Sequence, residues 1–170
     1  GVTGLGLVIY KDEKLYRTGY GFENYRDDTP VDPDQTLFRW ASLSKAVTGT
    51  IAVLMEEKGI ISLDDKANEL VPNYRDPQKY YNTNGNVRNL TQPYEATLKD
   101  LLTHRSGIRH FSNGAGTRVV PFNFQANNPR VNTGMEWAFH LWTGQPLAVE
   151  PGTYSYSNMG YHLAGAMLER

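Results

Sequence analysis

Ser42 and Lys45 stand three residues apart in Phe38-Arg39-Trp40-Ala41-Ser42-Leu43-Ser44-Lys45, where an apolar-periodic segment begins. A serine hydroxyl becomes a useful nucleophile only when a neighbouring base takes its proton. Residues three apart share a helical face, so an amine at Lys45 can reach a hydroxyl at Ser42. A helix start adds free backbone amides and a positive dipole end, which favour negative charge developing there. The chemistry that fits is attack of a serine on a carbonyl. The spacing alone recurs by chance in a chain with seven serines, and the plain alternative is a capping serine beside a solvated lysine.

A second group lies far downstream. Tyr156-Ser157-Asn158 follows Glu150-Pro151-Gly152-Thr153 and precedes an apolar helical pattern. A tyrosine there can relay a proton, and an asparagine can hold a carbonyl or an amine. Tyr80-Tyr81-Asn82 has the same spacing but sits in a polar stretch with no Pro-Gly turn before it and no helical pattern after it. It is set aside. His104, His110, His140 and His162 lack the i, i+4 histidine pair with a glutamate that zinc hydrolases use, so no metal is assigned and they read as structural or surface residues. No Gly-x-Ser-x-Gly elbow is present.

On these two groups, and on Leu101-Leu102-Thr103-His104-Arg105-Ser106-Gly107-Ile108 and Pro151-Gly152-Thr153 between them, the chain resembles the serine β-lactamase and penicillin-binding protein superfamily. The closest branch in pattern is that of class C β-lactamases, DD-peptidases and related esterases. The resemblance implies an α/β (α+β) fold: an antiparallel sheet flanked by helices, plus a helical subdomain. It implies a serine hydrolase that forms an acyl-enzyme on Ser42, with Lys45 and Tyr156 sharing proton transfer and Asn158 contacting substrate or lysine. The carbonyl attacked would belong to a β-lactam, a D-amino-acid peptide or an ester, and no cofactor is needed. The alternative is a binding or sensor module that keeps the pocket, or acylates without turnover. By resemblance alone, a periplasmic or secreted location is expected rather than a cytoplasmic one.

The superfamily's third motif, Lys-Thr-Gly or His-x-Gly on a strand, occurs nowhere in the 170 residues. Arg105-Ser106-Gly107 imitates its chemistry, but its position matches a helix end, where Gly107 reads as the C-terminal cap. The chain therefore looks like the N-terminal half of a longer polypeptide. The remainder, or a separate C-terminal piece, is expected to complete the sheet.

Composition narrows the classes further. A net charge of −1 and 39% hydrophobic residues fit one ordinary domain and give no electrostatic footprint for nucleic acid. The expected partner is a small molecule or a peptide. No apolar run reaches the ~18 residues of a membrane span, and Gly1 opens the sequence without a signal-type segment. With zero cysteines, disulfides and a thiol nucleophile are excluded.

The elements that must hold the site are legible in outline. Leu5, Leu7 and Ile9 alternate, Lys11-Asp12-Glu13-Lys14 is a turn, and Leu15 to Phe22 continues the hairpin. Residues 1–36 form this hairpin and its connection, residues 37–59 the nucleophile helix, and residues 60–170 the helical subdomain. Val47, Ile51, Leu54 and Met55 give the nucleophile helix, about Ser42 to Lys58, an apolar face expected to be buried, and Gly59 stops it. Asp64 or Asp65 is expected to open a short helix ending near Val71. Residues 73–96 read as a long polar excursion turning at Asn84-Gly85. Thr97-Leu98-Lys99-Asp100 and Thr133-Gly134-Met135-Glu136 read as helix starts, the second before Trp137 to Trp142. Residues 109–132 between them read as loop. Trp137, Trp142, Phe122 and Phe124 line either a cleft or the core. Ser157 or Asn158 caps a last helix carrying Leu163, Ala164, Met167 and Leu168.

Overall fold

A computed structural model describes residues 2–110 and 144–170. The expected helix start at Thr133, the Trp137 to Trp142 helix, Phe122, Phe124, His140 and most of the 109–132 loop lie outside the described residues. The chain divides into two compact units, Gly1–Ala41 and Ser42–Arg170.

In the first unit, β1 (Gly4–Lys11) and β2 (Lys14–Asn24) pair antiparallel, from Gly4 opposite Gly21 to Lys11 opposite Lys14. Asp12 and Glu13 both take positive φ, 49° and 62°. That is the condition of a two-residue turn whose twist matches the strands it joins. A short third strand, β3 (Thr29–Pro30), adds to the far edge of β2 through Phe22 and Asn24, which the hairpin pattern did not reveal. Two residues, one a proline, carry no alternation, and proline is tolerated at such an edge. Leu5, Leu7, Ile9 and Tyr10 all remain substantially exposed.

The second unit holds the main core. After a 3-10 turn at Ala41–Leu43, helix α1 spans Ser44–Glu57, so Ser42 lies in the tighter turn ahead of the α-helix proper. The α1 stop is a Schellman motif: the Gly59 N–H reaches Glu56 O and the Ile60 N–H reaches Met55 O, both at 2.9 Å. Gly59 takes φ +68°, which glycine adopts without steric cost. The expectation of a buried α1 face holds only for Met55, which is partly buried against the core. Val47, Ile51 and Leu54 are 49%, 45% and 48% exposed, and only Ala52 is buried within the helix. Their periodicity is helical, but no described element covers that stripe.

Helix α2 (Ala67–Leu70) starts later than expected, because Asp65 is used upstream, its carboxylate closing a turn on the Ser62 N–H at 2.9 Å. The 73–96 segment is not wholly an excursion. Tyr74 is buried, and β4 (Lys79–Tyr81) pairs with β5 (Val87–Asn89) around the Asn84-Gly85 turn. Asn82 closes that turn, accepting from the Asn84 and Asn86 N–H groups.

Helix α3 (Leu98–Leu102) and helix α4 (Asn158–Leu168) pack together at the centre. Leu98, Leu101, Ile108, Leu147, Leu163 and Met167 are its largest fully buried apolar side chains. Thr97 and Asp100 form a reciprocal capping box, each side chain accepting from the other's backbone N–H at 3.2 Å. Ser157 caps α4, its Oγ accepting from the Gly160 N–H at 2.9 Å. Among the described residues, no helix is long and apolar enough to cross a membrane.

Candidate active site

The exit of α3 determines how the Tyr156 segment enters the site. His104, Arg105 and Gly107 run beside the 148–155 stretch: Ser155 N–H donates to His104 O at 2.8 Å, Gly152 N–H to Arg105 O at 2.8 Å, and Ala148 N–H to Gly107 O at 2.7 Å. The Arg105 guanidinium also reaches Gly152 O at 2.8 Å. Gly107 is not the α3 cap that its place in the sequence suggests. It takes φ +70° in a turn where a Cβ would meet Val149 O at 2.6 Å. The α3 cap position in left-handed backbone belongs to His104, at φ +59°.

From this frame Tyr156 extends to Ser42. The two hydroxyl oxygens are 2.6 Å apart. One turn along α1, Lys45 Nζ lies 3.4 Å from Ser42 Oγ and donates to Asn158 Oδ1 at 2.6 Å. It also stands over the Tyr156 ring, 4.8 Å from the centroid, and over the Tyr161 ring at 5.3 Å. Two residues three apart, one in the 3-10 turn and one in the first turn of α1, thus meet two residues two apart where the chain enters α4. All four residues singled out in the sequence converge. The second Tyr-x-Asn, at Tyr80 to Asn82, is committed to β4 and its turn.

The surroundings of Tyr156 lower its pKa. Its phenol is held below the usual tyrosine value, first by its interaction with Lys45 and then by the Ser42 hydroxyl, which outweigh partial desolvation. Tyr161, also beneath Lys45, behaves oppositely. Burial raises its pKa, and its hydroxyl donates to Leu102 O at 2.9 Å. Position therefore shifts two neighbouring phenols in opposite directions, Tyr156 down and Tyr161 up. The Ser42 N–H lies in the first turn of the helical segment, among the amides that a helix leaves without intrahelical partners. Ala41, immediately before it, has φ +45°, a strained conformation for a residue with a Cβ.

Two histidines that the sequence left as structural residues join the site. His104 Nδ1 accepts from the Ser157 N–H at 3.1 Å, and His110 Nδ1 accepts from the Asn158 N–H at 3.2 Å. The His104 ring lies 4.5 Å from that of Tyr156, and the His110 ring 5.5 Å. Their signal was faint. His104 follows Leu-Leu-Thr at the place where a helix stop ordinarily carries glycine.

The β-lactamase family model matches residues 1–170. Protein flp of Staphylococcus aureus (strain NCTC 8325 / PS 47) is 27% identical over 170 residues, covering 99% of this chain and 30% of its own length. Penicillin-binding protein 4* of Bacillus subtilis (strain 168) is 26% identical over 173 residues, covering 98% of this chain and 32% of its own. The chain thus spans about a third of the curated relatives it matches. The crystal structure of a class C β-lactamase from Rhodobacter sphaeroides superposes with a TM-score of 0.63 at 28% identity, over 98% of this chain and 39% of that one. With a match along its whole length and a like fold in solved members, this chain belongs to the β-lactamase family, within the superfamily of serine β-lactamases and penicillin-binding proteins.

Proposed function

We propose that the complete protein is a serine hydrolase that forms an acyl-enzyme on Ser42. The observation that carries this is the 2.6 Å contact between Ser42 Oγ and the Tyr156 hydroxyl, with Lys45 beside both. Tyr156 as phenolate takes the Ser42 proton while Oγ bonds to the carbonyl carbon. Lys45 stabilises the phenolate, and Asn158 holds Lys45 in place. As the tetrahedral intermediate collapses, the Tyr156 proton passes to the leaving group, and water later releases the acyl group by the reverse sequence. The Ser42 N–H is one donor for the oxyanion. The second comes from further polypeptide, whose strands also complete the β1–β3 sheet within a single β-lactamase-like domain.

The substrate carbonyl belongs to a β-lactam, a D-amino-acid peptide or an ester. These share an acyl carbon open to attack and require no cofactor. We place the protein in the periplasm or outside the cell, in keeping with the resemblance. The test is to treat the complete polypeptide with an alkyl fluorophosphonate, a fluorescent penicillin and a chromogenic ester, and to follow intact mass with time. Turnover dependent on Ser42 supports the enzyme. A stable penicillin adduct without turnover replaces it with a sensor, and no adduct with any probe refutes the covalent chemistry.

A further inference from the structure

His104 occupies a position that its side chain makes costly. Helix α3 ends in the same Schellman arrangement as α1: the Arg105 N–H reaches Asp100 O at 2.8 Å and the His104 N–H reaches Leu101 O at 3.3 Å. In α1 the left-handed residue is Gly59, and in α3 it is His104, at φ +59°. A Cβ in that conformation costs roughly 1–2 kcal/mol, and such outliers concentrate where surrounding structure or function requires a particular side chain.

The side chain points into the site. Its Nδ1 accepts from the N–H of Ser157, the residue between Tyr156 and Asn158. Its ring is tilted 38° against Tyr156 at 4.5 Å, and also contacts Tyr161 at 5.1 Å and Tyr154 at 6.0 Å. Ser157 is buried, so its N–H has no recourse to water. We propose that His104 is a positioning residue for the Ser42 chemistry: its neutral imidazole, through Nδ1, anchors the Ser157 backbone and so fixes Tyr156 against Ser42 and Asn158 against Lys45. This inference rests on the serine-hydrolase reading above.

Protonation would undo the anchor. An imidazolium has two donors and no acceptor, so the Ser157 N–H would lose its partner. The groups around the ring are Lys45 from α1, Tyr154, Tyr156 and Tyr161 from α4 and its approach, and, on the α3 exit, His110 and the neighbouring Arg105. Burial first, then Lys45, then His110 hold the His104 pKa below the usual imidazole value. The positive end of α4 acts in the same direction. The neutral ring that makes the anchor is therefore favoured, and the anchor is lost only as pH falls through a pKa held below the ordinary imidazole value. His110 repeats the contact one residue on, at Asn158.

The experiment follows Ser42 phosphonylation by an alkyl fluorophosphonate against pH in the complete polypeptide, a readout that needs no natural substrate. His104→Phe keeps a ring but no acceptor, and is expected to slow labelling about 10- to 100-fold at pH 7.5, as for one unsatisfied buried donor. His104→Asn supplies a short acceptor that tolerates left-handed backbone and does not titrate. It is expected to restore most of that loss and to move the acid limb to lower pH. A His104→Phe rate equal to the parent's, or an unchanged acid limb in His104→Asn, overturns the inference. If either variant fails to fold, ¹⁵N NMR of the parent decides: an Nε2–H tautomer titrating with the acid limb supports it, and an Nδ1–H tautomer refutes it. No labelling of the parent defeats the hydrolase reading, and this inference with it. Labelling of the parent at Ser42 with failure only in the His104 comparisons defeats this inference alone.

Discussion

Lys45 Nζ is held by Asn158, at 2.6 Å, more closely than it approaches Ser42, at 3.4 Å. Ser42 in turn is held by Tyr156 at 2.6 Å. The amine nearest to Ser42 in sequence is thus not the group nearest to its hydroxyl in space. The Tyr156 hydroxyl takes that place, and Lys45 stands over its ring at 4.8 Å.

Ser42→Ala in the complete protein is expected to abolish covalent labelling and any turnover, since loss of a nucleophile removes several orders of magnitude in rate. Peptide mapping of the parent after fluorophosphonate treatment checks the site. An adduct on Ser44 or Ser106 would contradict the assignment.

Lys45→Met and Tyr156→Phe are each expected to slow acylation by at least ~10²-fold, with a double variant little worse than the slower single one. Groups that act as one unit are not additive. A product of the two separate losses would show that they work independently.

The pH dependence separates their roles. Tyr156 must be ionised to accept the Ser42 proton, so, in a limb separate from that of His104, the rate rises with pH through the tyrosine pKa, which Lys45 lowers. Removing Lys45 takes away the largest lowering influence, and the limb in Lys45→Met is expected to move to higher pH, toward the ordinary ~10 of tyrosine. A limb that stays in place or moves down would assign the titration to another group.

Gly107→Ala tests the scaffold. The new Cβ would stand 2.6 Å from Val149 O at a backbone φ of +70°. Left-handed backbone alone costs an alanine roughly 1–2 kcal/mol, and the clash adds to it. Urea unfolding of the complete protein is expected to show a loss of at least about 2 kcal/mol, about the upper end of that cost.

Residues 1–170 expressed alone are expected to self-associate and to lack turnover. Val47, Ile51 and Leu54 form an exposed stripe, and Leu5 and Ile9 stay exposed on the strands. Apolar faces and open sheet edges of this kind promote association. Size-exclusion chromatography with an esterase assay checks both, and a monodisperse, fully active monomer would contradict the expectation.

Much of this arrangement is legible in the residues, and the reason is local. Ser42 and Lys45 are one helical turn apart, Thr97 and Asp100 are a capping pair, and Gly59 supplies a left-handed stop, so short-range geometry encodes each. Pairing of β4 with β5 was hidden because three-residue strands such as Lys-Tyr-Tyr and Val-Arg-Asn carry too little alternation. The α3 stop misled because glycine is the usual left-handed residue, so Gly107 drew the assignment that belongs to His104. The role of His104 depends on a residue 53 positions away, at Ser157, and no local pattern reports that.

Helix α3 has five residues, far too few to persist unaided in water. Asp100 ties both of its ends: the carboxylate accepts from the Thr97 N–H and from the Tyr94 hydroxyl, and the carbonyl accepts from Arg105 and Ser106. Fraying at either end therefore releases the other, and the short helix opens as a whole or not at all. In hydrogen exchange, amides from Leu101 to Ser106 should share one protection factor, and Asp100→Ala should lower all of them together. The ring that anchors the Tyr156 segment would then be lost from the site through a change at a residue that contacts neither Ser42 nor Lys45.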